Sequence, residues 1–407
     1  MRILWVSHFL LFPETGYGGL QRSRNLLKSI CNQHEVILVC LYRDADKYLV
    51  PDLMLAEKDL KYFCKKVIFI PHKLTNIKKL FLLSKSFITN IPYSAYIYKS
   101  RYFYNNIYKL ISDNDIELIH FDTIGLIEPL LGNINTINAL THHDIESHKM
   151  HRRYSNEKNV FKRLLFWHEY RCMNKYEQFY CNRYHLNIVV SEIDRDRLKM
   201  INKNINIKVI ENGVDCEYFS YHSRDCNSKE LIFTGAMDYY PNTNAMLYFC
   251  NQIWPILKDR FTDLKLIIIG KNPPIQITSL IQNMKNIELL GYVEDIRPYI
   301  KRAKVFICPI LEGGGTRIKI LDAFSQGIPV VSTEIGAEGL HLENGKHIYI
   351  ANTATEFVER VSELLENDEL SRNISINARK LVEEIYSYKY IGNKLSKAYE
   401  ELFKTYV

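Results

Sequence analysis

The 9 cysteines of this chain include no Cys-x-x-Cys pair and have no histidine-rich run beside them, so neither a zinc site nor a disulfide framework is indicated. A reducing, cytoplasmic setting is the expected one. No stretch approaches the roughly 20 apolar residues that span a bilayer, so any membrane contact is expected to be peripheral, on the inner face of the cytoplasmic membrane. The apolar run from Ile3 to Phe12 contains Ser7 and His8 and leads into Pro13 and Glu14 without a small-residue cleavage site. It reads as a first strand, not as a signal peptide. The most uneven absence is of acids. Between Leu60 and Ser112 there is no Asp or Glu, whereas ten lysines and arginines fall there with many interleaved aromatics. The whole chain carries 53 − 46 = +7, so much of the basic excess is local. Such a segment suits anionic lipid headgroups. Single-stranded nucleic acid could meet the same chemistry, but no nucleic-acid module accompanies it, and no nucleic-acid partner is expected. A solvated basic face over an aromatic core is the plain alternative.

At 407 residues with 47% hydrophobic content, the chain exceeds the usual single core, and two domains are expected. Short apolar runs alternate with helical periodicity throughout, the signature of α/β domains with parallel sheets. Residues 1–219 read as a first Rossmann-like domain and 220–385 as a second, with a helix over about 386–407 packing back on the first. The polar stretch from Ser220 to Lys229 is the best candidate linker. The segment from Lys158 to Tyr184 has helical periodicity and is expected to pack on the first sheet.

The most informative stretch runs from Val305 to Ser332: strand, glycine loop, helix, strand. Gly313, Gly314 and Gly315 let the backbone turn sharply, and backbone amides at a helix start suit an anion such as phosphate. Arg317 and Lys319 add full charges. Lys319 and Asp322 are three apart and share a helix face, a cation for phosphate beside a carboxylate for ribose or sugar hydroxyls. Together they suggest a nucleoside-diphosphate compound; the plain alternative is a tight turn with a surface ion pair. Earlier in the chain a strand from Thr136 to Thr141 delivers His142, His143 and Asp144 to its C-terminal end, where ligand crevices of parallel sheets lie. A histidine there can exchange a proton, and a following acid such as Asp144 can orient it. A further strand, glycine loop, helix unit, Gly16-Tyr17-Gly18-Gly19 after the first strand, lacks dinucleotide-fingerprint spacing.

Several motifs, as an ordered set, resemble glycosyltransferase family 4 and its GT-B relatives. They are Gly235-Ala236-Met237-Asp238 with Pro241-Asn242, Gly291 to Tyr299, Gly313 to Asp322, and Gly336 to Leu340. In the first half Gly18-Gly19, Thr141 to Glu146, Val190 to Glu192 and Asn212 to Asp215 agree. The resemblance implies a GT-B fold, two Rossmann-like domains with parallel sheets facing across a cleft. It implies a nucleotide sugar bound mainly by the second domain, a glycan acceptor bound mainly by the first, and transfer with retention. The acceptor is expected to be a cell-envelope glycan, lipid-linked. No metal or other cofactor is expected. Gly18, Gly19, Gly235, Met237, Gly313 to Gly315, Thr316 and Asp322 fall at donor-binding positions, Asp322 matching the second acid of the family's paired motif. Arg317, Lys319 and His143 fall at catalytic positions, the cations facing the diphosphate; His142, Asp144 and Glu312 are acceptor-side or uncertain. The first acid of the paired motif is replaced by Gly314, with Glu312 two residues earlier. Met237-Asp238 stands where an Arg and Lys pair is common. The same architecture also carries sugar-nucleotide epimerases, phosphorylases and non-catalytic binders.

Overall fold

A computed structural model describes residues 1–12, 18–43, 53–126, 136–222, 228–282 and 284–406. The chain forms two compact units, Met1–Glu211 with Ile391–Val407, and Asn212–Tyr390.

The first unit carries β1 (Arg2–Ser7), α1 (Gly18–Ile30), β2 (Glu35–Arg43), α2 (Leu53–Lys61), β3 (Lys66–His72), α3 (Asn76–Thr89), α4 (Tyr93–Tyr96), α5 (Arg101–Asp113) and β4 (Leu118–Phe121). It continues with β5 (Ile137–His142), α6 (Glu146–Asn156), α7 (Val160–Tyr180), β6 (Leu186–Val189), α8 (Glu192–Ile201) and β7 (Ile207–Val209). Among the described residues its seven strands are all parallel, in the order β3-β2-β1-β4-β5-β6-β7. Helices on both faces require strands that are apolar on both sides, and β1 obeys this: Ile3 to Val6 are wholly buried. Of the loop expected after β1, Gly16 and Tyr17 lie outside the described residues, while Gly18 and Gly19 open α1.

The second unit carries β8 (Glu230–Thr234), α9 (Tyr240–Tyr248), α10 (Trp254–Arg260), β9 (Lys265–Ile269), α11 (Ile275–Gln282), β10 (Ile287–Leu289), α12 (Arg297–Arg302) and β11 (Val305–Cys308). It continues with α13 (Ile318–Ser325), β12 (Val330–Ser332), β13 (Tyr349–Ile350), α14 (Ala354–Glu366), α15 (Asp368–Leu381) and the start of α16 (Tyr388–Tyr406). Six parallel strands run in the order β10-β9-β8-β11-β12-β13. A π-helical turn, Phe249–Ile253, joins α9 to α10, where Pro255 removes a helix donor.

In each sheet the strand order reverses next to the first strand, between β1 and β4 and between β8 and β11. At such a switch point the connecting helices go to opposite faces, and the loops leave an opening at the strands' carboxyl ends. This feature places both candidate sites.

The chain passes from one unit to the other at Glu211, ahead of the polar Ser220 to Lys229 stretch expected to link them. Hydrogen bonding explains the difference. Arg22, fully buried, donates to the Ile210 carbonyl and to the Glu211 carbonyl, each at 2.8 Å, and Lys394 pairs with the Glu211 carboxylate at 2.8 Å. From Val214 onward the partners belong to the second unit: its N–H donates to Tyr386 O at 2.8 Å and its carbonyl accepts from Tyr388 N at 3.1 Å. A Cβ on Gly213 would lie 2.9 Å from the Tyr386 carbonyl, which explains the glycine. Residues 223–227 of that polar stretch lie outside the described residues. From Ile391 on, α16 belongs to the first unit; Tyr399 donates or accepts at 2.6 Å with His120 Nδ1.

The long helix α7 differs from expectation along its first turns and at Phe179, which is exposed near its end. His168, Cys172, Met173 and Tyr176 are buried as the periodicity predicts, but Val160, Phe161, Leu164 and Leu165 stand exposed.

Candidate functional site

In the second unit the switch-point loops follow β8 and β11. The β8 loop is pinned to the neighbouring strand: Gly235 N donates to Ile269 O at 2.8 Å and Met237 N to Lys271 O at 2.9 Å. Met237 is wholly buried and its carbonyl accepts from Thr243 Oγ1 at 2.5 Å, so both backbone groups and the side chain are used by the fold. Pro241 sits in the first turn of α9, where its missing N–H costs nothing.

The β11 loop holds the three glycines. Gly313 has φ +101° and Gly315 φ +76°, both in the region that favours glycine. A Cβ on Gly313 would approach Pro241 Cγ at 3.1 Å, so the two loops lie against each other. Arg317 is turned back onto its own loop, its guanidinium donating to the Gly314 and Gly315 carbonyls and, at 3.4 Å, to Glu312 O. Thr316 Oγ1 accepts from Asn212 Nδ2. Glu312 Oε1 accepts from Asn244 Nδ2 at 2.5 Å, fastening the loop to α9.

Lys319, in the first turn of α13, reaches across from the β11 loop to the β8 loop. Its Nζ donates to Asn242 Oδ1 at 2.9 Å and lies 4.2 Å from the centre of the Phe233 ring. Asn242 is held in turn by donation from Nδ2 to Ala236 O at 2.8 Å. A Cβ on Gly235 would sit 2.5 Å from Lys319 Nζ, so this glycine makes room for the ammonium. Burial depresses the Lys319 ammonium to about 8, with Arg317 adding to the effect and Cys308 and Asp322 opposing it. Asp322, 6% exposed, is pushed up to about 8 by burial, partly offset by Lys319. A cation and an acid on one helix face, both titrating near neutrality because they are poorly solvated, mark a site more often than a surface pair.

In the first unit the loops after β1, β4 and β5 converge on a different group. His143 Nε2 lies 3.0 Å from Asp122 Oδ1. Asp122, 1% exposed, also accepts from Ser23 Oγ at 2.9 and 2.8 Å and from Ser7 Oγ at 3.3 Å. Burial alone would raise this carboxyl, but the nearby His143, His8 and His120 leave it below the ordinary aspartate value. A buried carboxylate that accepts several hydrogen bonds stays ionised and fixes its donors in place. Among the described residues His143 Nδ1 is buried without a hydrogen-bond partner, 3.7 Å from the position a Cβ on Gly19 would take. His143 and Gly19 are therefore brought together.

The other strand-end residues go elsewhere. His142 is 3% exposed, 3.1 Å from Asn187 Oδ1, and burial lowers it to about 4. Asp144 lies 3.5 Å from Lys149 Nζ, and the acid that orients His143 is Asp122. Sequence reasoning passed over Asp122, Ser23 and the holding role of Asn242. An acid directly after the buried strand Leu118–Phe121 was the one visible signal for Asp122.

Comparison with known proteins bears on the fold and the family. The profile of Glycosyltransferase Family 4 matches residues 17–218, and that of Glycosyl transferases group 1 matches residues 228–367. An uncharacterized 44.6 kDa protein in the cps region of Klebsiella pneumoniae is 27% identical over 44% of this chain and 48% of its own length. A phosphatidyl-myo-inositol mannosyltransferase of Mycobacterium leprae is 24% identical over 52% of this chain and 58% of its own. The chain thus spans about half the length of these curated relatives. Sucrose-phosphate synthase from Thermosynechococcus elongatus shares the fold at a TM-score of 0.73 and 13% identity, with 100% of both chains covered. HepE from Anabaena, in complex with UDP-glucose, does so at 0.65 and 13%, covering 98% of this chain and 100% of that one. With both halves matched and the GT-B fold shared along the whole length, the chain belongs to the group 1, family 4-type glycosyltransferases.

Proposed function

We propose that this chain transfers a glycosyl residue, with retained anomeric configuration, from a nucleoside-diphosphate sugar to a cell-envelope glycan acceptor carried on a lipid. The observation that carries the reading is Lys319, a desolvated ammonium held between the two switch-point loops beside a glycine loop at a helix start. A diphosphate leaving group gathers charge on its oxygens as the glycosidic bond breaks. Fixed cations and amides aimed at that charge lower the barrier, in a poorly solvated site more than in water. Lys319 and the amides of Gly313 to Thr316 take that part in our reading, and Asp322 holds the ribose. Arg317 keeps the loop in shape from its inward position, or swings out when the diphosphate arrives. His143, aligned by Asp122, meets the donor sugar or positions the acceptor hydroxyl. No metal is assigned a part in this reading, in which Lys319 and the loop amides meet the charge of the diphosphate.

A UDP-glucose complex is known for HepE, the Klebsiella relative is from a cps region, and the Mycobacterium relative is a phosphatidyl-myo-inositol mannosyltransferase. These favour a nucleotide-sugar donor, an envelope polysaccharide and a lipid-borne acceptor. Peripheral contact with an anionic membrane through residues 60–112, from the cytoplasmic side, belongs to the same reading. Among the described residues no helix is long and apolar enough to cross a membrane.

The test is a panel of nucleotide sugars screened by thermal shift, followed by turnover with the best binder. A bound donor raises apparent stability by mass action. Release of nucleoside diphosphate only when a glycan acceptor is present supports transfer. Donor binding without turnover over any acceptor would point to a non-catalytic binder, and conversion without an acceptor to an epimerase.

A further inference from the structure

The turn that carries His143 is three residues long, His143 to Ile145, between the end of β5 and the start of α6. The first amides of a helix have no acceptor within it, and the residue ahead of them commonly supplies one from its side chain. Ile145 stands at that position and makes no such bond, its side chain lying 2% exposed in the apolar core of the first unit. The acceptor comes instead from α7. Glu177, wholly buried, receives Glu146 N on Oε1 at 2.9 Å and Ser147 N on both oxygens at 3.4 Å.

One helical turn further along, the same end of α7 reaches the strand side of that turn. Cys181 N donates to the Glu177 carbonyl, and Cys181 Sγ lies 3.9 Å from His142 Nε2. Asn187, whose Oδ1 lies 3.1 Å from the same nitrogen, donates from Nδ2 to the Cys181 carbonyl at 3.0 Å. His143 therefore sits between two anchors, His142 on one side and the α6 amides on the other, and both are drawn to the end of α7. Further along, the two helices are tied by His151 against Tyr170, with ring centres 4.9 Å apart, and by Arg153 over Phe166 at 4.7 Å. Burial pushes the Glu177 carboxyl up to about 8 and Glu146 adds to the effect, while Ser147 and the two amides oppose it. Burying a carboxyl costs stability that a helix cap repays only in part.

We propose that Glu177 is a positioning residue for transfer: from the last turn of α7 it fixes the first amides of α6 and, with Cys181 and Asn187 holding His142, sets where the His143 imidazole stands. Asp122 aligns the ring through Nε2 at 3.0 Å, and the backbone of the turn decides how far forward the ring reaches. Misplacing a group that meets substrate by about 1 Å can cost about a hundredfold in rate. The inference rests on the reading that His143 acts in transfer and adds to it a residue on another helix, which touches neither His143 nor Asp122 in any hydrogen bond among the described residues.

The full chain is labelled isotopically in its histidine rings, and the His143 magnetic resonance signal is identified by its loss in His143→Gln. Glu177→Ala and Glu177→Asp, the second drawing the carboxyl back by one methylene, should each shift or broaden that signal and leave the signal of His347, in the second unit, unmoved. Glu177→Gln keeps an oxygen for the Glu146 amide and should leave the His143 signal as in wild type. Turnover is read as nucleoside diphosphate released from the nucleotide sugar of largest thermal shift over a lipid-linked glycan acceptor, well below the melting temperature. Here kcat should fall about tenfold to a hundredfold in the Ala and Asp variants and return to within about threefold of wild type in Glu177→Gln. The thermal shift given by the nucleotide sugar should be that of wild type throughout, and if Glu177→Ala does not fold, Glu177→Asp carries the comparison. Adding Glu177→Asp to His143→Gln should cost no further turnover. Wild-type kcat or an unmoved His143 signal in Glu177→Asp, a loss in Glu177→Gln as large as in Glu177→Asp, or independent losses in the double variant overturns the inference. Unchanged turnover in His143→Gln alone would instead remove His143 from the transfer reading.

Discussion

Replacing Lys319 by Met keeps an unbranched side chain and removes the charge that Asn242 holds over the Phe233 ring. The fall of this ammonium from its usual 10.5 to about 8 corresponds to an unfavourable desolvation of about 3 kcal/mol, which the unliganded protein bears. A bound diphosphate restores a counter-charge. In Lys319→Met that gain is gone, so affinity for a nucleoside diphosphate should fall by about tenfold to a hundredfold. Turnover should fall by roughly 10² to 10³, the usual effect of removing one donor aimed at developing charge. Folding stability should move the other way, with an unchanged or higher Tm, because a burial cost is removed. Isothermal titration with UDP and other nucleoside diphosphates, steady-state kinetics at saturating donor and a melting curve give the three readings. Wild-type affinity and turnover in a destabilised variant would show that Lys319 is a structural cation and refute the reasoning.

The pH dependence has a definite sign: Lys319 is charged below about 8 and neutral above it, and Asp322 turns anionic over the same range, so both changes disfavour an anion as pH rises. Affinity for nucleoside diphosphate should be level below about pH 7 and fall through pH 8 to 9, with proton uptake on binding at pH 8.5, measurable by calorimetry in buffers of different ionisation enthalpy; a fall only near the ordinary lysine value would contradict the burial argument. Gly235→Ala places a methyl group 2.5 Å from Lys319 Nζ and should displace the ammonium from Asn242, lowering nucleotide affinity on the order of tenfold, as titration would show. Asp122→Asn should cost about 1 to 3 kcal/mol of stability in denaturant melts, since Ser23, Ser7 and His143 share that buried carboxylate. It should also lower transfer by tenfold or more while leaving nucleotide affinity at the second unit unchanged, and unaltered transfer would remove His143 from the reaction.

The fold could be read from the chain because its signals are local. Apolar runs such as Val305 to Cys308 must be strands buried on both faces, and their alternation with helical periods allows little besides parallel α/β sheets. The face shared by Lys319 and Asp322 follows from helix geometry, and both are poorly solvated in the structure. What remained hidden depends on residues distant in sequence. Asp122 and His143 meet because β4 and β5 are neighbours, and the following acid Asp144 is drawn to Lys149. Arg317 reads as an outward cation, yet the bent glycine loop leaves carbonyls that its guanidinium satisfies. The exposed start of α7 was equally hidden, since periodicity shows that a helix has an apolar face but not which way that face turns.

In our reading the β8/β11 switch point of the second unit grips a nucleoside-diphosphate sugar through Lys319. Its most direct measurement is calorimetric titration of wild type and Lys319→Met with the nucleotide sugar that gives the largest thermal shift. Wild type should show saturable one-site binding at neutral pH, weakened at least about tenfold in Lys319→Met and weakened in wild type above pH 8. No binding of any nucleotide sugar by the folded protein, or equal binding by both proteins at every pH, would contradict it.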